Sequence, residues 1–295
     1  MVLQTTNSEV NMLDFMDTES LIRTVGFTPR SLQQPDAWVG HIPFANWLTN
    51  LAKPEVFVEL GTHTGNSYFA FCQSILDADL STKAYAVDTW AGDEHAGFYG
   101  KEVFDYVAQT NKSYEHFSTL IRKTFEEASD IFPDQSIDLL HIDGLHTYEA
   151  VSKDFNTWLP KMSDRGLVIL HDTNVFKDDF GVHKLFEELS AKYDSMNFLH
   201  SHGLGVLRVG GNSPDFIPKR ADDRNHFIEL FRLIGSRFAK ELDKQSEMDK
   251  LQITILDLEI RSQQVAESLH ATRQSFSWKL TYPLRVLGEL VFRRK

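Results

Sequence analysis

Cysteine is all but missing from this sequence: Cys72 is the only one in 295 residues. A single thiol excludes an internal disulfide framework and suits a reducing compartment. Its setting in "YFAFCQSI" reads as core packing. Long apolar runs are absent too. No stretch reaches the roughly 18 residues that a membrane span needs. The opening "MVLQTTNSEVNMLDF" has neither the basic nor the apolar region of a signal peptide, so a cytoplasmic location is expected. Positive charge is scarce, with 30 Lys and Arg against 42 Asp and Glu and a net charge of −12. That excludes a general nucleic-acid binder, because neutralising phosphates takes clustered cations. From about 222 to 275 there is no proline and only Gly235. Neither internal repeats nor low-complexity tracts occur. What the chain does have is a 42% hydrophobic content including 22 Phe, enough for a sizeable core.

The apolar residues are arranged in two ways. From 55 onward, short continuous runs ("EVFVEL", "KAYAVDTW", "SIDLLHID", "GLVILHD") alternate with amphipathic segments such as "NSYFAFCQSIL", "YEAVSKDFNTWL" and "GVHKLFEELSAKY". Such alternation describes parallel strands buried on both faces by helices. "LGVLRVG" reads as a last strand, and "FANWLTNLAKP" as a helix that Pro54 closes. The expected fold is therefore α/β, a Rossmann-like, doubly wound and mostly parallel sheet over 40–212, preceded by an irregular segment, 1–39. A C-terminal helical extension over 222–275 follows. Its Met248, Leu251, Ile255, Leu258, Ser262, Val265, Leu269, Thr272 and Phe276 recur at steps of three and four, the seam of a coiled coil. A homo-oligomer is the expected consequence; a long helix packed on its own domain is the alternative.

In "FVELGTHTGNSYFAF" (57–71) a strand ends at Glu59 and runs into Gly61 and Gly65, with the hydroxyls of Thr62 and Ser67 behind it. Gly61 serves a tight turn and Gly65 a close approach of backbone to ligand. The spacing is not that of a dinucleotide fingerprint, and no P-loop Lys-Ser/Thr follows, so phosphate cradling is disfavoured. The next strand ends at Asp88, where a carboxylate accepts ribose hydroxyls or serves as a turn acid. Glu59, Gly61, Thr62, Gly65, Ser67 and Asp88 together describe a nucleoside site without phosphate. S-adenosylmethionine, a nucleoside with a cationic sulfonium and an amino-acid tail, meets each demand.

Two further strand ends bring ionisable groups to the same edge: Asp143 and His146 in "LLHIDGLHTYEAV", and His171 and Asp172 in "VILHDTNV". Such groups are costly among apolar strands unless paired with one another, a metal or a substrate. Asp143 and Asp172 suit a hard divalent cation, and His146 suits proton removal near neutrality. The ordinary readings are core histidines at His141 and His171, a helix cap at Asp172 and a His146–Tyr148 hydrogen bond. Trp90, His95 and Tyr99, on the loop after the second strand, are placed to cover the site or touch a substrate.

The segments "VELGTHTGNS", "AVDTW", "HIDGLHTYEAVSKDF" and "GLVILHDT", in that order, resemble class I S-adenosylmethionine-dependent methyltransferases. Within that class they are most similar to the branch of macrocin and mycinamicin sugar O-methyltransferases and cephalosporin-biosynthesis methyltransferase-like proteins. The resemblance implies the class I methyltransferase fold. It makes Asp143 a metal ligand that also lies beside the cofactor, and His146 the general base. The second pair of metal-site positions falls on His171 and Asp172. A carboxylate is expected at 171, and imidazole is a poorer partner for magnesium. Either His171 ligates a softer metal, or the site works without one and His171 binds substrate.

The tail 276–295, with "SFSWKLTYPLRVLGEL", mixes aromatic and basic residues. It suits either an anionic membrane surface, here the inner face of the membrane, or a capping helix with a solvated basic tip. It is similar to tails of bacterial glycosyltransferases and cell-surface polysaccharide enzymes, which implies a saccharide. The resulting expectation is an S-adenosylmethionine-dependent O-methyltransferase acting on a sugar hydroxyl in bacterial polysaccharide biosynthesis, with a divalent metal such as magnesium. The rivals are a macrolide or phenol O-methyltransferase, a nicotinamide or flavin oxidoreductase, and a non-catalytic coiled-coil scaffold for glycan-assembly enzymes.

Overall fold

The computed structural model describes residues 16–95 and 97–292. Its centre is a seven-stranded sheet. Five strands run parallel: β1 (Val56–Leu60), β2 (Lys83–Asp88), β5 (Ser118–Arg122), β6 (Ile137–Ile142) and β7 (Met162–His171). In space the order is β5-β2-β1-β6-β7, then β9 (Leu204–Arg208) and β8 (Asp194–Phe198). β9 is antiparallel to both its neighbours. A two-residue hairpin, β3 (Gly92–Asp93) with β4 (Gly97–Phe98), stands apart.

The period of two along each strand feeds two separate cores. Phe57, Leu139, Leu167 and Ile169 enter one cluster, whereas Val58, Leu60, Leu140, Ile142, Val168 and Leu170 enter the other. Helices α2 (Ile42–Ala52) and α3 (Asn66–Asp77) cover the first face. The second is covered by α5 (Phe125–Ser129), α6 (Tyr148–Trp158) and α7 (Val182–Ser190). With both faces covered, the strands read as unbroken apolar runs. Helix α4 (Lys101–Asn111) follows the hairpin.

Three local readings differ from expectation. The segment before residue 40 holds a helix, α1 (Thr18–Gly26), capped by the Asp17 side chain on the Ser20 N–H. Strands β5 and β8 have mixed sequences, "STLIR" and "DSMNF", because each is only partly buried. Sheet pairing, which no local pattern encodes, makes them strands.

Helix α8 (Ala221–Gln274) is continuous. Phe227, Phe231, Gly235, Phe238 and Leu242 are buried, and Trp47 meets the Phe227 ring at 5.0 Å between centroids. From residue 243 the helix belongs to a second compact unit, where Met248, Leu251, Ile255, Leu258, Val265 and Leu269 are all exposed. It continues into α9 (Phe276–Leu280) and α10 (Tyr282–Phe292). Arg293, Arg294 and Lys295, part of the basic tail, lie outside the described residues. No helix among the described residues is long and apolar enough to cross a membrane.

Gly235 is where α8 meets the chain ahead of α2: a Cβ there would lie 1.9 Å from the Gly40 carbonyl oxygen. Both groups are backbone and cannot swing aside. Gly235→Ala is expected to cost about 2 kcal/mol or more, read as a lowered thermal midpoint. Gly26→Ala, where nothing lies within 4 Å, should be neutral or slightly stabilising in the same assay.

Candidate active site

β1 and β6 are neighbours, yet the chain leaves β1 toward β2 and leaves β6 toward β7. The order therefore reverses between them, which opens a crevice at their carboxyl ends. Leu60 is in register with Ile142, so Gly61 and Asp143 emerge side by side. The Asp143 N–H donates to the Leu60 carbonyl at 2.8 Å and the Gly61 N–H to Val87 at 2.9 Å. Gly61 has φ +87°, and a Cβ on it would fall 2.0 Å from the Asp143 carbonyl oxygen. Glycine is required here twice over, by φ and by space.

A cavity of about 520 Å³ opens at this point. It takes Gly61, Thr62, Ser67 and Asp88 from one half of the sheet and Asp143, His146, His171 and Asp172 from the other. The Thr62 hydroxyl is buried there without a hydrogen-bond partner among the described residues. Asp88 fastens the turn: one carboxylate oxygen accepts the Thr62 and His63 N–H groups, each at 2.9 Å, and the other accepts the Trp90 N–H at 2.7 Å. It remains part of the cavity wall.

Glu59 and Gly65 are placed differently from the sequence reading, since neither lines the cavity. Glu59 is fully buried, and its Oε2 accepts from Nδ1 of His141 at 2.9 Å. Nε2 of His141 accepts from the Trp38 indole at 3.2 Å, which fixes the tautomer. Burial pushes the Glu59 carboxyl above its usual range. Gly65 caps α3 at φ +84° and faces the Phe69 ring, which a Cβ would meet at 2.5 Å. Trp90 is buried too, its indole donating to the His63 carbonyl at 3.1 Å. An intrinsic β-run leaves a carboxylate buried at its last turn, and only the packing of α2 and α3 decides what meets it.

The ionisable half is a tight cluster. Nε2 of His146 lies 2.8 Å from Asp172 and 3.6 Å from Asp143. Nδ1 of His171 is 3.2 Å from both carboxylates, while its Nε2 donates to the Ser201 carbonyl at 3.1 Å. Asp172 sits at φ +60°, a strained conformation that points its side chain back into the site. The His146 ring is parallel to Phe180 within 2° at 4.8 Å, and its Nδ1 is 3.3 Å from Nδ1 of His95.

Burial works against charge on His146, yet hydrogen bonds to Asp143 and Asp172 outweigh it and push the imidazole up to about 9. His171, buried between the same two carboxylates, is raised well above its ordinary 6.5. Both aspartates are held far below 3.8: burial opposes this, and His171 and His146 overcome it. The raised imidazoles stabilise the fold most below about pH 6.5, and that contribution is lost as pH rises through the folded values, about 9 for His146. The depressed carboxylates contribute above about 3.8 and lose their contribution as acid protonates them.

Asp143, His146 and Asp172 each present one ligand atom within 4.8 Å of the others. His171 faces the same carboxylates and is steadied from behind by a carbonyl, as metal-bound imidazoles are. Two carboxylates with imidazole nitrogen fit a divalent ion, and fit manganese, iron or zinc better than magnesium. Residues that the sequence did not single out also line the site, among them Trp38, Phe125, Lys177, Phe180 and His202. His202, at φ +67°, places its Nδ1 3.2 Å from Asp172. The "HSHG" ahead of the last strand was its only signal.

Residues 58–173 match a protein family described as "Methyltransferase domain". This part of the chain is similar to methyltransferase domains. Its cavity and its ionisable cluster both fall at the strand ends inside or beside that segment. An uncharacterized protein of Sinorhizobium fredii, y4gI, is 42% identical over 239 residues, which are 79% of this chain and 26% of that protein. The chain thus spans about a quarter of that relative. Among solved structures, parts of this chain are similar to an S-adenosylhomocysteine-bound methyltransferase of Podospora anserina, 14% identical, with TM-score 0.44 over 64% of this chain and 87% of that one. They are also similar to TomG, an O-methyltransferase of Streptomyces achromogenes solved with S-adenosylmethionine, 13% identical, with TM-score 0.45 over 69% and 91%. A putative caffeoyl-CoA O-methyltransferase of Staphylococcus aureus is 17% identical, with TM-score 0.45 over 69% and 93%.

Proposed function

We propose that this protein transfers a methyl group from S-adenosylmethionine to a hydroxyl of a saccharide. The observation that carries the reading is one cavity with two chemistries. A phosphate-free turn with an orphaned hydroxyl at Thr62 meets an acid–imidazole cluster across the same crevice. The donor brings a methyl already activated on a sulfonium, so the protein's work is alignment and the removal of one proton.

Thr62, Ser67 and Asp88 would hold the donor on the β1–β2 side. As the acceptor oxygen bonds to the methyl carbon and the carbon–sulfur bond breaks, the hydroxyl proton passes to Nε2 of His146. S-adenosylhomocysteine and the methyl ether leave. A divalent ion held by Asp143, His171 and Asp172 would supply Lewis-acid polarisation of that hydroxyl. Phe180 and His95 keep the His146 ring in plane, and the paired carboxylates fix its tilt. The polar lining at Asp93, His95, Lys177 and His202 suits an acceptor with several hydroxyls, as does the likeness of the tail to polysaccharide enzymes.

The test is incubation with radiolabelled S-adenosylmethionine and a bacterial glycan fraction, with and without EDTA. Label in glycan that disappears with EDTA supports both transfer and the metal. Label indifferent to EDTA removes the metal and leaves the cluster acting alone. Donor consumed only with a phenol or macrolide would reassign the acceptor. No heat of binding with S-adenosylhomocysteine would sink the reading.

A further inference from the structure

The second compact unit ends in an element that the methyltransferase reading leaves without a task. Ser275 breaks the long helix, and its hydroxyl accepts the Trp278 N–H to start α9. Thr281 ends α9, and Pro283 sits in the first turn of α10. Arg285 ties the two short helices together. Its guanidinium lies 3.8 Å from the Trp278 ring centroid and donates to the Trp278 carbonyl and the Thr281 hydroxyl, each at 2.6 Å.

Around that fixed elbow the large apolar side chains are bare. Phe276, Leu280, Tyr282, Leu284 and Leu287 are between 60% and 80% exposed. In α10 the charged residues Arg285 and Glu289 are four apart, on one line of the helix. Apart from these two, the α10 sequence "YPLRVLGELVF" holds no charged residue. A wide apolar face with a narrow charged one is the pattern of a helix lying in a lipid interface.

Charge decides the occupant. Residues 276–295 hold Lys279, Arg285, Arg293, Arg294 and Lys295 against the single acid Glu289, a net +4 in a chain of −12. Residues 1–275 therefore carry −16. A surface as acidic as the rest of this chain would be repelled by an anionic bilayer, so the cations that the sequence concentrates in 276–295 supply the attraction. We infer that the α9–α10 elbow is a membrane-docking element that lies in the interface of an anionic lipid leaflet, with Trp278 and Tyr282 at headgroup depth.

The experiment is vesicle flotation of the full chain with phosphatidylcholine alone and with phosphatidylcholine mixed with phosphatidylglycerol. Recovery with the anionic vesicles, about tenfold or more above the neutral ones and reduced by salt, is expected. The double variant Leu284→Glu/Leu287→Glu should lose that recovery, with its thermal midpoint and circular dichroism unchanged. Equal recovery with both vesicles, or anionic binding that survives the double variant, overturns the inference. So does an oligomer in light scattering that the double variant dissolves while the natural chain ignores vesicles, because a second copy would then be what covers the elbow.

Discussion

Replacing His146 by alanine is expected to lower the rate of methyl transfer about 10²–10⁴-fold, the usual worth of a placed general base, with S-adenosylhomocysteine affinity nearly unchanged. The imidazole stands 2.8 Å from Asp172, 3.6 Å from Asp143 and 3.3 Å from His95, not on the glycine turn. Isothermal calorimetry and a radiolabel assay separate the two readouts. A variant that binds the product poorly would mean that His146 shapes the donor pocket instead. A variant that keeps full activity would take proton removal away from this residue.

The same residue sets the pH profile. Only neutral imidazole accepts a proton, and the adjacent carboxylates push His146 up to about 9. In EDTA the transfer rate should therefore climb with pH through about 9 and level off only above it. An ion held by Asp143, His171 and Asp172 would offset the two negative charges that hold the proton on, so added manganese should move the rise toward neutral pH. A profile flat from pH 6 to 9 in both conditions would show that proton removal does not limit the rate.

Gly61→Ala should be the most damaging single change in the β1–β6 crevice. It forces a side chain into φ +87° and sets its Cβ 2.0 Å from the Asp143 carbonyl oxygen, so β1 and β6 must part where they are hydrogen-bonded. We expect a loss of about 3 kcal/mol or more and no measurable S-adenosylhomocysteine binding. Gly97→Ala supplies the comparison: its φ is +80°, with nothing among the described residues within 4 Å beyond its chain neighbours. It should show the conformational cost alone, about 1 kcal/mol. If the two variants unfold at the same temperature, the contact with Asp143 contributes nothing.

Much of the site was legible because a parallel sheet puts every strand's carboxyl end on one edge. Asp88, Asp143, His171 and Asp172 each follow a run of strand formers, so their convergence follows from topology without coordinates. Glu59, Gly65 and Trp90 show where that logic stops. Each lies within a few residues of a strand end, but packing sets what it faces: Glu59 points into a core, Gly65 caps α3 and Trp90 is buried. The hidden face of β1, with His141 and Trp38 packed on it, claimed Glu59. His202, Phe180 and Lys177 lie on connections whose sequences carry no periodic signal, and only the β8–β9 turn and the segment after β7 bring them in.

The sequence by itself determined the doubly wound order of strands and helices, the glycine that the first turn cannot do without, and the edge on which the chemistry gathers. Those follow from periodicity, backbone sterics and chain direction, all of which are local. The tertiary structure alone decided which carboxylate faces the cavity and which is sealed behind α2 and α3. It decided too that two imidazoles share two carboxylates and become strongly basic. Burial and charge pairing depend on what lies across a gap of a few ångströms, and no spacing along the chain records that.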